Sequence, residues 1–217
     1  MAEHKTGGNV RRAKPGSVAI RHIALALVAS ALCAYGYGQE QDPFIAAWKL
    51  VASQANRGRW TEARDAAPTL GPGLEEIEIA FGWKLAPPIA AALEARDSRT
   101  LARDLTVAAC GAMLWKLEAS RRVNLADYYA AKYRVEAARI LYAELLAPAV
   151  RHQDATRGGS SDERIIAGLT RAQAAIGRPG FLGRGGVPPD APAYAEAALE
   201  IEAALRAVFP FVPEVKR

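Results

Sequence analysis

From Asp42 to Pro210 the apolar residues recur at every third or fourth position, and no stretch shows the strict alternation of a half-buried strand. A chain patterned this way buries one stripe per segment as a helix. Each stripe is also punctuated in the manner of helix ends. Asp42-Pro43 and Asp190 with Pro192 are N-terminal signals, and Gly58 and Gly177 are stops. The fold class read from this is all-α: a helical bundle of about four main helices plus an N-terminal helical hairpin.

In the expected hairpin, Phe44, Trp48, Val51 and Ala55 share one face of the first helix, and a short helix follows over Trp60–Ala67, closed by Gly71-Pro72-Gly73. A third helix begins near Leu74 with the stripe Leu74, Ile77, Phe81 and Leu85, and Pro87-Pro88 breaks or kinks it. Ser98 or Thr100 caps a fourth that runs to about Ser120. It is apolar on most sides and so is central. The fifth spans about Leu125 to Leu146, with Tyr129, Tyr133, Ala137, Ile140 and Leu141 inward and Pro148 interrupting it. Ser161 caps a sixth with the stripe Ile165, Leu169, Ala172 and Ile176. The last carries Tyr194, Ala198, Ile201, Leu205 and Val208. Leu85-Ala86-Pro87-Pro88-Ile89 and Leu146-Ala147-Pro148-Ala149-Val150 read as a faint repeat.

The chain divides into a leader, residues 1–38, and a single helical domain, residues 39–217. Lys5, Arg11, Arg12, Lys14 and Arg21 precede the apolar run from Ile23 to Ala34, and the small-residue patterns Ala29-Ser30-Ala31 and Ala34-Tyr35-Gly36 lie in its second half and at its end. That is the layout of a secretory signal peptide, and the run is short for a membrane span. The expectation is export, to the periplasm of a bacterium, with an uncleaved N-terminal anchor as the alternative. Of the formal charge of +5, all but +1 resides in this leader. The remainder is close to neutral, which gives no warrant for a nucleic-acid partner.

Beyond the leader the chemistry is sparse. There is no CxxCH for haem attachment and no HExxH for a zincin. Past residue 38 the one histidine is His152 and the one cysteine is Cys110. His152 near a helix C-terminus reads as a surface histidine, against a haem axial pair with Met113. Cys110 among alanines reads as a core residue. No nucleophile is marked beside His152, and the expectation is not an enzyme. The sequence names no cofactor.

Two acids stand out. Glu78 sits at the edge of the Ile77, Phe81, Leu85 stripe, and Glu144 falls on the face of Tyr133, Ala137 and Ile140. A carboxylate in a core needs a partner or a metal. With Tyr129 and Tyr133 as hydrogen-bonding neighbours, Glu78 and Glu144 are candidate ligands for a hard cation such as iron. The alternative is an edge residue that reaches water or pairs with Arg or Lys.

The stretch Leu74–Leu117 carries Gly73-Leu74-Glu75, an acidic and aromatic helix, and Ala95-Arg96-Asp97 ahead of a second helix. It resembles the helical extracytoplasmic domain that accompanies some bacterial high-affinity iron permeases. The Arg-Glu-x-x-Glu motif of those permeases is not in the chain, so no functional residue carries over. The resemblance implies an accessory role in iron uptake or handling. Two expectations stand: an exported, non-enzymatic binding protein with a metal ion as ligand, or a structural subunit or adaptor docking on a membrane-associated partner. The adaptor would use an exposed apolar patch and the loop at 178–189.

Overall fold

The computed structural model describes residues 42–180 and 185–215. The leader of residues 1–38 lies outside the described residues. What is described is all-α, with a single isolated bridge between Arg178 and Val187 in place of any strand. None of the described helices is long and apolar enough to cross a membrane.

Helix α1, Pro43–Asn56, opens on Asp42, whose carboxylate accepts the Phe44 N–H at 2.9 Å. Helix α2, Trp60–Ala66, turns back against it and passes through a 3₁₀ turn, Ala67–Leu70, into α3, Gly71–Phe81. Gly82 ends α3 in the left-handed conformation, at φ 74°, which glycine adopts without a Cβ penalty. Leu85 therefore belongs not to that helix but to the N-terminus of α4, Ala86–Glu94.

Pro87 and Pro88 break nothing. They stand in the first turn of α4, where an N–H would have no partner anyway. Pro148 stands in the first turn of α7, Ala147–Arg157, directly after a π turn over Tyr142–Leu146 that interrupts the α-helical ladder. Leu85 and Leu146 each precede a helix that opens on Ala and Pro, but Leu85 follows a non-helical break and Leu146 a π turn.

Helix α5, Ser98–Arg122, begins at Asp97, which caps it through the N–H groups of Arg99 and Thr100. Every residue from Val107 to Leu114 is buried, so the helix is surrounded on all sides. It packs against α1, α3, α4, α6 and α9. The central place expected for it holds.

Helix α6, Tyr128–Leu141, runs on through a π turn, Tyr142–Leu146, into α7. In that turn the Ala147 N–H reaches back five residues to the Tyr142 carbonyl. Helices α8, Ser161–Ala175, and α9, Ala191–Val208, form the last hairpin. Gly168 faces Ala197 and Ile201, and the Asp190 N–H meets the Ala175 carbonyl, so the pair is antiparallel. Helix α5 packs on α6, α6 on α8, α8 on α9, and α9 back on α5, which closes a four-helix ring. The α1–α2 hairpin lies beside it.

The inner face of α6 differs from the sequence reading at the tyrosines. Ala137 and Leu141 are buried as expected, together with Ala131, Val135 and Ala138, while Tyr129 and Tyr133 are 74% and 71% exposed. The reason is volume. Packed against α5 on one side and α8 on another, α6 needs small residues at the crossing, and alanine provides them where a tyrosine ring would hold the helices apart.

Candidate docking surface

The turn between α5 and α6 is strained. Asn124 and Leu125 have φ of 50° and 56°, both in the left-handed region. Asparagine tolerates this, but leucine costs about 1–2 kcal/mol there. The turn is held by hydrogen bonds from the Asn124 N–H to the Arg121 carbonyl, at 2.9 Å, and from the Leu125 N–H to the Ser120 carbonyl, at 3.1 Å. The strained geometry buries the Leu125 side chain.

Leu125 then lines a groove of about 530 Å³ with Ala126, Tyr128 and Ile176. The far wall is the loop after α8. Arg178 and Val187 exchange two main-chain hydrogen bonds, at 2.9 and 3.0 Å, and Pro188 and Pro189 continue the wall. Gly177 is required at the entry: a Cβ there would lie 2.3 Å from the Val187 carbonyl oxygen. Val187 and Pro188 also border a second groove of about 450 Å³ between α8 and α9, which carries the Arg171–Glu200 ion pair.

The first groove continues onto α6. Tyr128, on its edge, meets Tyr129 edge-to-face with ring centroids 5.2 Å apart. Tyr133 follows one turn later. Tyr129, Lys132, Tyr133 and Glu136 are all exposed and span about 100° of the helix circumference. Glu136 is held by Arg139 at 3.8 Å. Neither Lys132 nor Arg178 has a carboxylate partner among the described residues. The result is an apolar and aromatic surface flanked by two cations that are unpaired among the described residues.

The candidate metal ligands do not assemble as the sequence suggested. Glu78 lies on the exposed side of α3, not in the core. Glu144 is exposed as well and pairs with Lys49 of α1. Tyr129 and Tyr133 turn to solvent for the packing reason given above. Eleven residues of helical rise, about 16 Å, separate Tyr133 from Glu144, and Glu78 belongs to a helix packed on α5. A carboxylate that reaches water needs no metal to offset its burial, so the argument that raised these acids does not apply to their actual positions. No group of three or more His, Cys, Asp or Glu side chains among the described residues is placed to hold a metal ion.

Cys110 is fully buried in α5, and burial pushes its thiol well above its ordinary range, which makes it a packing residue. His152 is exposed on α7.

Sequence reasoning named the loop at 178–189, which forms one wall of the groove, but missed Leu125 and Tyr128 on the other. The α5–α6 turn has no glycine to announce a left-handed residue; Asn124 is the one signal, and it marks only half of the feature.

The chain matches no protein-family model, no curated protein and no solved structure.

Proposed function

We propose that this chain is an exported, non-enzymatic accessory protein that docks a protein partner through the exposed face of α6 and the adjoining groove. The observation that carries the reading is the pair Tyr129 and Tyr133, one turn apart and largely exposed, continuous with the Leu125–Tyr128–Ile176 groove. Tyrosine supplies a large rigid contact area at little cost in side-chain entropy, and it is enriched in interfaces and their energetic centres. An isolated exposed tyrosine needs no explanation, whereas a run of three beside a groove is the composition of a docking surface.

Charge specifies the partner. Lys132 and Arg178 flank the apolar surface without a carboxylate partner among the described residues. They complement a segment whose apolar residues are bordered by Asp or Glu. Export rests on the leader of residues 1–38, and the non-enzymatic reading rests on the absence of catalytic motifs from the sequence. The adaptor reading is preferred to the metal reading because Glu78 and Glu144 are exposed, Glu144 with Lys49 as its partner, and neither needs a metal to offset burial.

The test is a panel of synthetic peptides presented to the full chain, each with an apolar centre flanked by acidic, neutral or basic residues. Acidic-flanked peptides are expected to bind, with loss of binding in Tyr129→Ala/Tyr133→Ala and a switch towards basic flanks in Lys132→Glu/Arg178→Glu. Binding that ignores the flanking charge, or that survives removal of both tyrosines, overturns the reading.

A further inference from the structure

Three large apolar side chains reach much further into solvent than any other among the described residues. They are Ile79 at 75%, Tyr129 at 74% and Tyr133 at 71%, and the next, Leu199, is 49% exposed. The tyrosines belong to the docking face of α6. Ile79 lies on α3, rotated by about 200° from Ile77. Ile77 is fully buried and packs on Gly111 of α5, so Ile79 points directly away from the core. Leu74, Ile77, Ala80 and Phe81 already cover the core side of α3, and nothing within the chain uses Ile79.

The surroundings of Ile79 are acidic. Glu75 and Glu76 stand one turn before it and Glu78 beside it, and all three are exposed. Residues three and four apart share a helix face, so Glu75, Glu76 and Ile79 form one patch. With Pro72, also exposed, they span about 100° of the circumference of α3. Tyr129, Lys132, Tyr133 and Glu136 cover an equal arc of α6. The α3 patch is an apolar residue bordered by carboxylates, which is the chemistry that the aromatic and basic face of α6 calls for. Both helices pack on α5, and each exposes its patch on the side away from the core, so a chain cannot lay its own α3 patch on its own α6 face.

We infer, building on the docking of a partner at α6, that this partner is a second copy of the chain, which presents the Ile79 patch of its α3. Ile79 of one copy packs on Tyr129 and Tyr133 of the other, and Glu75 and Glu76 face Lys132 and Arg178. The apolar contact removes the three most exposed large side chains from water, and the charges fix the orientation. The two patches differ, so the contact is heterologous, and each copy offers one half of it on either side.

The test is sedimentation of the full chain over a range of concentrations reaching about 1 mM, the weak end of specific association. The average mass is expected to rise with concentration. Ile79→Ser/Glu76→Lys spoils the α3 patch alone, and Tyr129→Ala/Tyr133→Ala spoils the α6 face alone. Each is expected to weaken association at least about tenfold, the scale of losing an interface anchor. Mixed one to one, the two variants keep one intact face apiece and are expected to form a dimer that neither forms by itself. Lys132→Glu/Arg178→Glu is also expected to weaken association, and adding Glu75→Lys/Glu76→Lys to the same chain to restore it. All of the substituted residues are exposed, and an unchanged melting temperature shows that the variants fold.

A chain that stays monomeric, an association that survives the loss of either face, or a mixture that fails to pair overturns the inference. The peptide panel decides the docking reading separately. Acidic-flanked peptides that bind a chain which remains monomeric show that α6 docks a different protein, in which case the docking surface stands and the second copy does not.

Discussion

The Asp154 carboxylate of α7 accepts the main-chain N–H of Asp162 in α8 at 2.8 Å, so one helix of the hairpin caps the other. Ser160 occupies the N-cap position but makes no side-chain cap, and Ser161 is already helical. The Asp154 carbonyl also receives the Gly158 and Gly159 N–H groups, at 2.8 and 3.0 Å, which pins the whole turn. Asp162 in turn accepts the hydroxyl of buried Tyr142, from the π turn, and Arg151 Nε at 3.0 Å. Burial first, then the Asp162 carboxylate, pushes the Tyr142 phenol well above its ordinary range, so it remains a donor.

This arrangement has a pH signature. The Asp162 N–H, then the Ser161 N–H and hydroxyl, hold the Asp154 carboxyl below its ordinary value of 3.8. A carboxyl depressed in the folded state stabilises fully above its unfolded value, and that stability fades as pH falls through the folded one. Asp154→Ala is therefore expected to lower stability by an amount that stays constant from neutral pH to about pH 5 and shrinks in stronger acid. Urea denaturation of both proteins across that range measures it. A gap that widens on acidification would sink this account.

The two faces of α6 make opposite predictions. Tyr129→Ala and Tyr133→Ala are expected to change stability by no more than about 0.5 kcal/mol, as exposed substitutions do. Ala138→Leu, at the buried crossing, is expected to cost about 1–3 kcal/mol through overpacking. Chemical denaturation of the three variants distinguishes this geometry from one in which the tyrosines face inward, for which the order reverses.

That contrast shows which features of the fold were legible in the sequence. Asp42 and Asp190 were readable as caps because the bond they make is to residues two or three positions on. The burial of α5 was readable because its apolar residues occupy all sides. Asp154 was not, since it caps a helix eight residues away across a turn. Pro87 was misread as a break because the start of a helix and the interruption of one look alike until the preceding residues are known to be non-helical. On α6 the apolar count favoured the tyrosines, while the packing selected the alanines. The groove was beyond reach: it joins residues 125–128 to 176–189, and nothing local encodes that meeting.

Glu118 is the anchor of the α3–α5 contact. It is buried, and it accepts Arg121 Nε and Nη2 at 2.7 Å each and Arg122 Nε at 3.2 Å. Arg122 goes on to donate to the Ala80 carbonyl at 3.0 Å and lies 5.4 Å from the Trp115 ring centroid. Burial acts to raise the Glu118 carboxyl, but the two arginines outweigh it and the net shift is downward. Glu118→Ala removes the acceptor and leaves both arginines unpaired at the end of α3. The expected loss is about 2 kcal/mol, the scale of hydrogen bonds to a charged group. Glu118→Gln is expected to lose less, and a stability for Glu118→Ala equal to that of the parent would show that solvent already screens the cluster.

Gly168 sets how closely α8 approaches α9. A Cβ built there would lie 2.6 Å from Ile201 Cγ1 and 3.5 Å from the Ala197 carbonyl oxygen. Alanine is favoured over glycine within a helix by about 1 kcal/mol, so Gly168→Ala sets a propensity gain against a steric clash. Ile201 is fully buried and has no open side into which to swing. The clash should therefore win, and the variant is expected to be less stable by about 1–2 kcal/mol. The decisive measurement is a double-mutant cycle with Ile201→Ala. That single change leaves a cavity and costs stability on its own. In the pair, the methyl introduced by Gly168→Ala enters the space that Ile201 vacated. The double variant is expected to lose less than the sum of the two singles, by more than the roughly 0.5 kcal/mol within which independent sites add. Simple additivity would mean that the α8–α9 crossing is wider than the glycine implies, and Gly168 would then be no constraint on the hairpin.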